Sequence, residues 1–177
     1  DLVRHTLSQL SPAGAEALFP RWSPDGRQLA FSSNHGGTSG LARLAFDESA
    51  TPELFGFGGA PSSWSADGRQ LVFVRNFDIW SVDLNGTPPV PVPVVQSPSR
   101  DGWPALSPDG RWLAFSSNRS GRYEVYLERF RAAGPVLQVS VDGGSSPAWN
   151  PNGRELFFST PRDDSPERSA MMAVEVS

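Results

Sequence analysis

WPALSPDGRWLAFSSN, from Trp103 to Asn118, is one of four copies of a single pattern in this chain. FPRWSPDGRQLAFSSN (Phe19 to Asn34) and PSSWSADGRQLVFVRN (Pro61 to Asn76) precede it, and SPAWNPNGRELFFSTP (Ser146 to Pro161) follows. The glycines at the centre of the pattern, Gly26, Gly68, Gly110 and Gly153, stand 42, 42 and 43 residues apart. A fixed period of this length points to a propeller or solenoid before any other fold.

Within one copy, a short apolar strand runs into a four-residue turn and a second strand leaves it. In Ser23-Pro24-Asp25-Gly26 the proline presets φ, Asp suits the third position, and Gly closes the turn where a left-handed backbone is cheap only for glycine. After the turn Leu29 and Phe31 fall on one face and Gln28 and Ala30 on the other, the period of two that marks a strand. Leu71 and Phe73, Leu113 and Phe115, and Leu156 and Phe158 repeat the arrangement. Third strands are expected at 41–46, 78–82, 124–130 and 171–176, and fourth strands at 53–57, 92–95 and 136–139. Four antiparallel strands per repeat make a blade, and a lone blade has two apolar faces with nothing to cover them. Blades must therefore stack around an axis. The expected fold is an all-β propeller of four repeats, spanning about 19–57, 61–95, 103–139 and 146–177.

The run P-x-W-S-P-D-G-R-x-L-A-F-S-S-N resembles the TolB-type propeller repeat, a relative of the WD repeat. Such repeats occur in TolB, in the propellers of prolyl-oligopeptidase-like enzymes, and in propellers attached to bacterial serine/threonine kinases. The last copy, with GRELFFSTP and then MMAVEV, looks most like the kinase-attached group. The resemblance implies an interaction or sensing module and favours a periplasmic or otherwise extracytoplasmic setting. It implies no particular reaction, since one fold hosts many functions.

Composition narrows the chemistry further. The 177 residues carry a net charge of −4 with acids and arginines interspersed, so no basic footprint for nucleic acid or anionic lipid is present. The absence of cysteine removes disulfides, thiolate nucleophiles and cysteine metal sites together. All fifteen Lys and Arg residues are arginine, which excludes a Walker-type phosphate loop, a Schiff-base lysine and a kinase ATP lysine within this stretch. No run is long and apolar enough to cross a membrane as a helix. Gly36-Gly37-Thr38-Ser39-Gly40 fails the nucleophile elbow, because Leu41 stands where the second glycine is needed. No catalytic residue, cofactor or metal is expected.

Residues 1–10 are expected to form one further strand without a partner in their own repeat, while the fourth repeat has room for three strands. Two outcomes match these ends. The N-terminal strand pairs with 171–176 and closes a four-bladed ring, or the four blades are an arc completed by further blades, as in a homo-dimer forming an eight-bladed ring. The segment TPPVPVPVV (Thr87 to Val95) is expected at an outer edge, since proline cannot donate to a ladder.

Three groups of residues are candidates for function. Asp25, Asp67 and Asp109, with Asn152 in the fourth copy, resemble a carboxylate ring, but turn hydrogen bonding accounts for them and Asn152 serves a turn equally well. Trp22, Trp64 and Trp149 share a repeat position that holds Leu106 in the third copy, and are expected to fill space between blades, with Trp112 compensating in the leucine blade. Phe19 and Trp103, three residues before that position, and Arg21 and Ser63, one before it, are expected at the mouth of the central channel. An arginine among aromatic side chains suits a carboxylate or a peptide end. The loops bearing Asn34, His35, Asn118 and Arg119 are expected on the same face, giving a protein or peptide partner further contacts.

Overall fold

The computed structural model describes residues 9, 11, 14–35, 38–46, 51–162 and 165–176. Among them every regular element is a strand. The first sheet is built from β1 (Glu16–Trp22), β2 (Gln28–His35), β3 (Thr38–Ala45) and β4 (Glu53–Leu54). The second holds β5 (Ala60–Trp64), β6 (Gln70–Arg75), β7 (Asp78–Asp83) and β8 (Pro91–Val95). The third holds β9 (Asp101–Leu106), β10 (Trp112–Ser117), β11 (Glu124–Arg129) and β12 (Leu137–Gln138). The fourth has β13 (Ser145–Trp149), β14 (Glu155–Arg162) and β15 (Ser165–Glu175). Each sheet is antiparallel with its strands in chain order, which is the blade expected from the repeat. The proline-rich β8 lies at the outer edge of its sheet, where an absent N–H costs no ladder bond.

The turn that defines the repeat is held by its own side chains. Ser23 Oγ donates to Asp25 Oδ1 at 2.6 Å and accepts from the Gln28 N–H at 2.9 Å, while the Arg27 N–H donates to the same carboxylate at 3.0 Å. Ser65 with Asp67 and Ser107 with Asp109 repeat these contacts. In the fourth blade Asn152 Oδ1 accepts the Arg154 N–H at 2.9 Å. Gly26, with φ of 69°, occupies the left-handed position that closes the first turn.

Three apolar layers between successive blades make up most of the core, and a fourth cluster of Phe31, Ala42 and Leu44 lies on the other face of the first blade. Ala30, Leu41 and Phe55 of the first blade meet Trp64, Leu71, Phe73 and Val82 of the second. Val72, Ile79 and Val95 on the other face of the second blade meet Leu106, Leu113, Phe115 and Tyr126 of the third. Ala114, Val125 and Leu127 then meet Leu156 and Phe158 of the fourth. At about 1.5–3 kcal/mol for each fully buried Leu, Val or Phe, these layers are the main force joining the blades. Polar links fix their register. Trp64 Nε1 donates to the Arg21 carbonyl at 3.0 Å, and Trp149 Nε1 donates to the Ala105 carbonyl at 3.0 Å. Where Leu106 replaces tryptophan, its own N–H donates to Ser63 Oγ at 3.1 Å. Trp112 fills space between blades from the leucine blade, but at the next junction and not in the slot of Leu106. It lies on the opposite face, packs in the layer between the third and fourth blades, and carries Arg129 over its ring at 4.2 Å.

β1 packs on β5, β5 on β9 and β9 on β13, and among the described residues the four sheets do not close into a ring. The expected pairing of residues 1–10 with the last strand falls, apart from Gln9, outside the described residues. Among the described residues the fourth sheet has three strands.

Candidate functional site

Each blade's innermost strand carries a bulge at the same repeat position, seen as a register shift between Leu18 and Arg21, Pro61 and Ser63, and Ser145 and Ala148, and opposite Ala114 to Ser116 in the third blade. The bulged residue adopts a left-handed backbone in Phe19 (φ 56°), Trp103 (φ 48°) and Ser146 (φ 55°). Its place in the second blade is taken by Pro61. A third bulky residue joins them from a hairpin. Asn76 and Phe77, the two residues between β6 and β7, have φ of 54° and 65°, the paired left-handed values of a type I′ turn that normally takes glycine second.

Phe19, Phe77 and Trp103 line one cavity of about 280 Å³, together with Arg21, Tyr123 and Asp101. The three strained aromatics are each about half exposed. Trp103 meets Tyr123 edge to face, with centroids 5.6 Å apart, and Arg100 lies 4.7 Å over the Phe77 ring. Arg21 is held in place by carbonyls: its Nε donates to Ser62 and its Nη1 to Pro20, each at 3.0 Å. It forms no ion pair with Glu16 or Asp101. Asp101 is buried, accepts the Ser97 hydroxyl at 2.7 Å and pairs with Arg119 at 3.3 Å. The cavity is therefore an aromatic cleft with one guanidinium at its wall and one internally neutralised carboxylate. Such a lining suits a ligand with an apolar body and a carboxylate or carbonyl that Arg21 can reach.

The remaining candidates take other places. Ser63 does not line the cavity, because its hydroxyl is turned to the Leu106 N–H in the next blade; the neighbouring Ser62 lines it instead. Asn118 Oδ1 accepts the Arg100 N–H at 2.8 Å and so supports the cation above Phe77. Arg119 lies between rings, 5.1 Å from the Phe115 centroid and 4.6 Å from that of Tyr126, and anchors Asp101. Asn34 lines a second cavity of about 280 Å³ that shares Phe19 with the first. The side chain of His35 lies outside the described residues. Phe77 and Tyr123 were not singled out by the repeat, since both sit in loops that differ from blade to blade. The signal for Phe77 was a phenylalanine in a two-residue hairpin where glycine is the usual choice.

The turn carboxylates stay ionised. The Ser23 hydroxyl and the Arg27 N–H lower the pKa of Asp25, Ser65 and the Arg69 N–H lower that of Asp67, and Ser107 and the Arg111 N–H bring Asp109 to about 2. Hydrogen bonds to the charged form do this, and they leave no poised proton donor. Among the described residues no group of three or more His, Cys, Asp or Glu side chains is placed to hold a metal ion.

Comparison with known proteins agrees with the architecture. No protein-family model matches the chain. A TolB homolog of Chlorobium luteolum is 32% identical over 126 residues, which is 69% of this chain and 28% of that protein. An uncharacterised protein of Agrobacterium fabrum, Atu1656, is 32% identical over 85 residues, 46% of this chain and again 28% of the relative. Among solved structures, one assigned as TolB from Agrobacterium tumefaciens superposes with a TM-score of 0.72 at 25% identity, over 90% of this chain and 62% of that one. TolB from Acinetobacter baumannii gives 0.70 at 18% identity, over 94% and 45%. A prolyl endopeptidase structure gives 0.65 at 20% identity, over 91% of this chain and 25% of that one. The chain has a TolB-like β-propeller fold. It spans little more than a quarter of the curated relatives it matches.

Proposed function

We propose that the chain is a non-catalytic interaction module that holds a peptide segment or chain end in the aromatic cleft around Arg21. The observation that carries this reading is the coincidence of three left-handed aromatic residues, Phe19, Phe77 and Trp103, at one cavity. A left-handed backbone at a bulky residue costs on the order of 1–3 kcal/mol, and such strain concentrates at ligand sites. The fold requires the bulge but not the ring: Ser146 adopts the same backbone in the fourth blade, and Pro61 fills the place in the second. The aromatic side chains at the mouth therefore have a use beyond closing the bulge. Resemblance of the last repeat to kinase-attached propellers supports a sensing role for such a module. The likeness to peptidase propellers supports, as a second reading, an accessory role beside a catalytic domain.

The test is titration of the protein with short peptides of matched sequence, carrying either a free or an amidated C-terminus, followed by tryptophan fluorescence. Free-acid peptides with an aromatic or proline residue near the end should bind and perturb Trp103 emission, and amidation should weaken them. A charge-assisted hydrogen bond contributes about 1.5–3 kcal/mol, so Arg21→Ala should reduce affinity at least tenfold. Equal binding by wild type, Arg21→Ala and Trp103→Ala would refute the site.

A further inference from the structure

The chain carries a net charge of −4, yet the charge left open around the cleft of Phe19, Phe77 and Trp103 is positive. The carboxylate in its wall, Asp101, is buried and spent on the Ser97 hydroxyl and Arg119. Arg119 is held in turn between the Phe115 and Tyr126 rings, so that pair is closed within the protein. Glu16 lines the adjoining cavity and not this one, and Asp78 stands opposite Arg75 across the hairpin of Phe77, outside the cavity lining. Two guanidiniums remain open. Arg21 uses Nε and Nη1 on the Ser62 and Pro20 carbonyls, which leaves its Nη2 without an acceptor among the described residues. Arg100 uses none of its side-chain donors: among the described residues its guanidinium meets no carboxylate and no hydrogen-bond acceptor.

The backbone beneath Arg100 is fixed. Its N–H donates to Asn118 Oδ1 at 2.8 Å, and its carbonyl accepts the Asn118 N–H at 3.3 Å. The next residue, Asp101, donates its N–H to the Phe77 carbonyl at 2.8 Å, which ties the hairpin that carries Phe77 to the segment that carries Arg100. Phe77 lines the cavity while its ring carries Arg100 at 4.7 Å, so the second cation stands at the rim of the same cleft. A guanidinium stacked on a ring keeps its edge donors free, and those are the donors that take a carboxylate in parallel.

We propose that the segment held in the cleft is acidic, with its terminal carboxylate on Arg21 and a second carboxylate, from an aspartate or glutamate within its last few residues, on Arg100. This rests on the reading of the cleft as a site for a chain end and adds the charge of the partner to it. Open arginines on an otherwise acidic chain also select at the encounter, since they draw in an acidic segment and turn away a basic one.

The test is calorimetric titration of the 177-residue chain with short peptides of one aromatic-containing sequence, in which Glu or Gln stands second, third or fourth from a free C-terminus. Glu in at least one of these places should bind about fivefold tighter than Gln, the size of an exposed ion pair, and the gain should shrink as salt rises from about 0.05 to about 0.5 M. Arg100→Gln, folded as the wild type by circular dichroism, should lose the preference for Glu and keep the preference for free acid over amide that Arg21 gives. Arg111→Gln, which removes the charge paired with Asp109 at the turn end of the same blade, should keep both preferences. Peptides that bind equally with Glu and Gln overturn the acidic partner while the site for a chain end stands. A preference for Glu that survives Arg100→Gln, or that Arg111→Gln also removes, overturns it as well. Absence of binding by every peptide overturns both readings.

Discussion

One repeat position offers a controlled comparison, because tryptophan occupies it in three blades with two different surroundings. Trp64 is 8% exposed and its indole N–H reaches the Arg21 carbonyl at 3.0 Å, whereas Trp22 is 55% exposed and has no such acceptor. Replacing Trp64 by Phe keeps an aromatic ring in the slot and leaves the carbonyl without its donor, at a cost of about 1–3 kcal/mol. The same change at Trp22 removes no hydrogen bond between blades and should cost well under 1 kcal/mol. Truncation to Ala widens the gap. An aromatic side chain buries roughly 150–250 Å² at about 25 cal/mol per Å², so Trp64→Ala should lose about 3–5 kcal/mol. Trp22, buried over less than half its surface, should lose no more than about half of that. The assay is urea unfolding at protein concentrations where the chain is monomeric, read by circular dichroism, with thermal melts alongside. For a domain of this size each kcal/mol corresponds to about 2–4 °C in Tm. Equal losses for Trp22→Phe and Trp64→Phe would refute the view that the slot works by latching a blade to the one before it.

Further outcomes follow from the turns and the tight contacts. Asp25, Asp67 and Asp109 have folded-state pKa values below the ordinary 3.8, so their stabilisation is present above that pH and is lost as pH falls through the folded values, which for Asp109 is about 2. The triple Asp→Asn variant, which copies the turn built on Asn152, should flatten the fall in Tm between pH 4 and 2; an unchanged slope contradicts the assignment. Gly59→Ala would set a Cβ 2.3 Å from the Phe73 ring, which is fully buried, and should destabilise by about 1–3 kcal/mol in chemical denaturation. Glu124 is 1% exposed and accepts from Ser140 Oγ, the Gly143 N–H and Arg122, so Glu124→Ala should cost about 2–3 kcal/mol and loosen the loop through Gly143, seen as faster amide exchange there.

The repeat made the blades legible because its punctuation is chemical. Ser-Pro-Asp-Gly can hardly be anything except a turn, and alternation after it assigns Leu29 and Phe31 to one face. The shared tryptophan position was readable as spacing between blades, but its hydrogen bond was not, since the acceptor is a backbone carbonyl that any residue provides. The same limit hid the role of Ser63, whose hydroxyl serves the next blade. Phe19, Arg21 and Trp103 could be grouped because they share the repeat's first strand, and they line one cavity. Phe77 and Tyr123 arrive from loops whose lengths vary, and variation outside the repeat carries no register to follow.

The latch between blades has a direction, since the indole always reaches back to the carbonyl of the preceding blade and never forward. The second and fourth blades each bring an indole donor, whereas the third brings Leu106 and depends on the Ser63 hydroxyl of the blade before it. The blades are therefore not interchangeable: one junction in three is held by a side-chain hydroxyl that only Ser63 supplies, since Arg21, Ala105 and Ala148 stand at the matching positions.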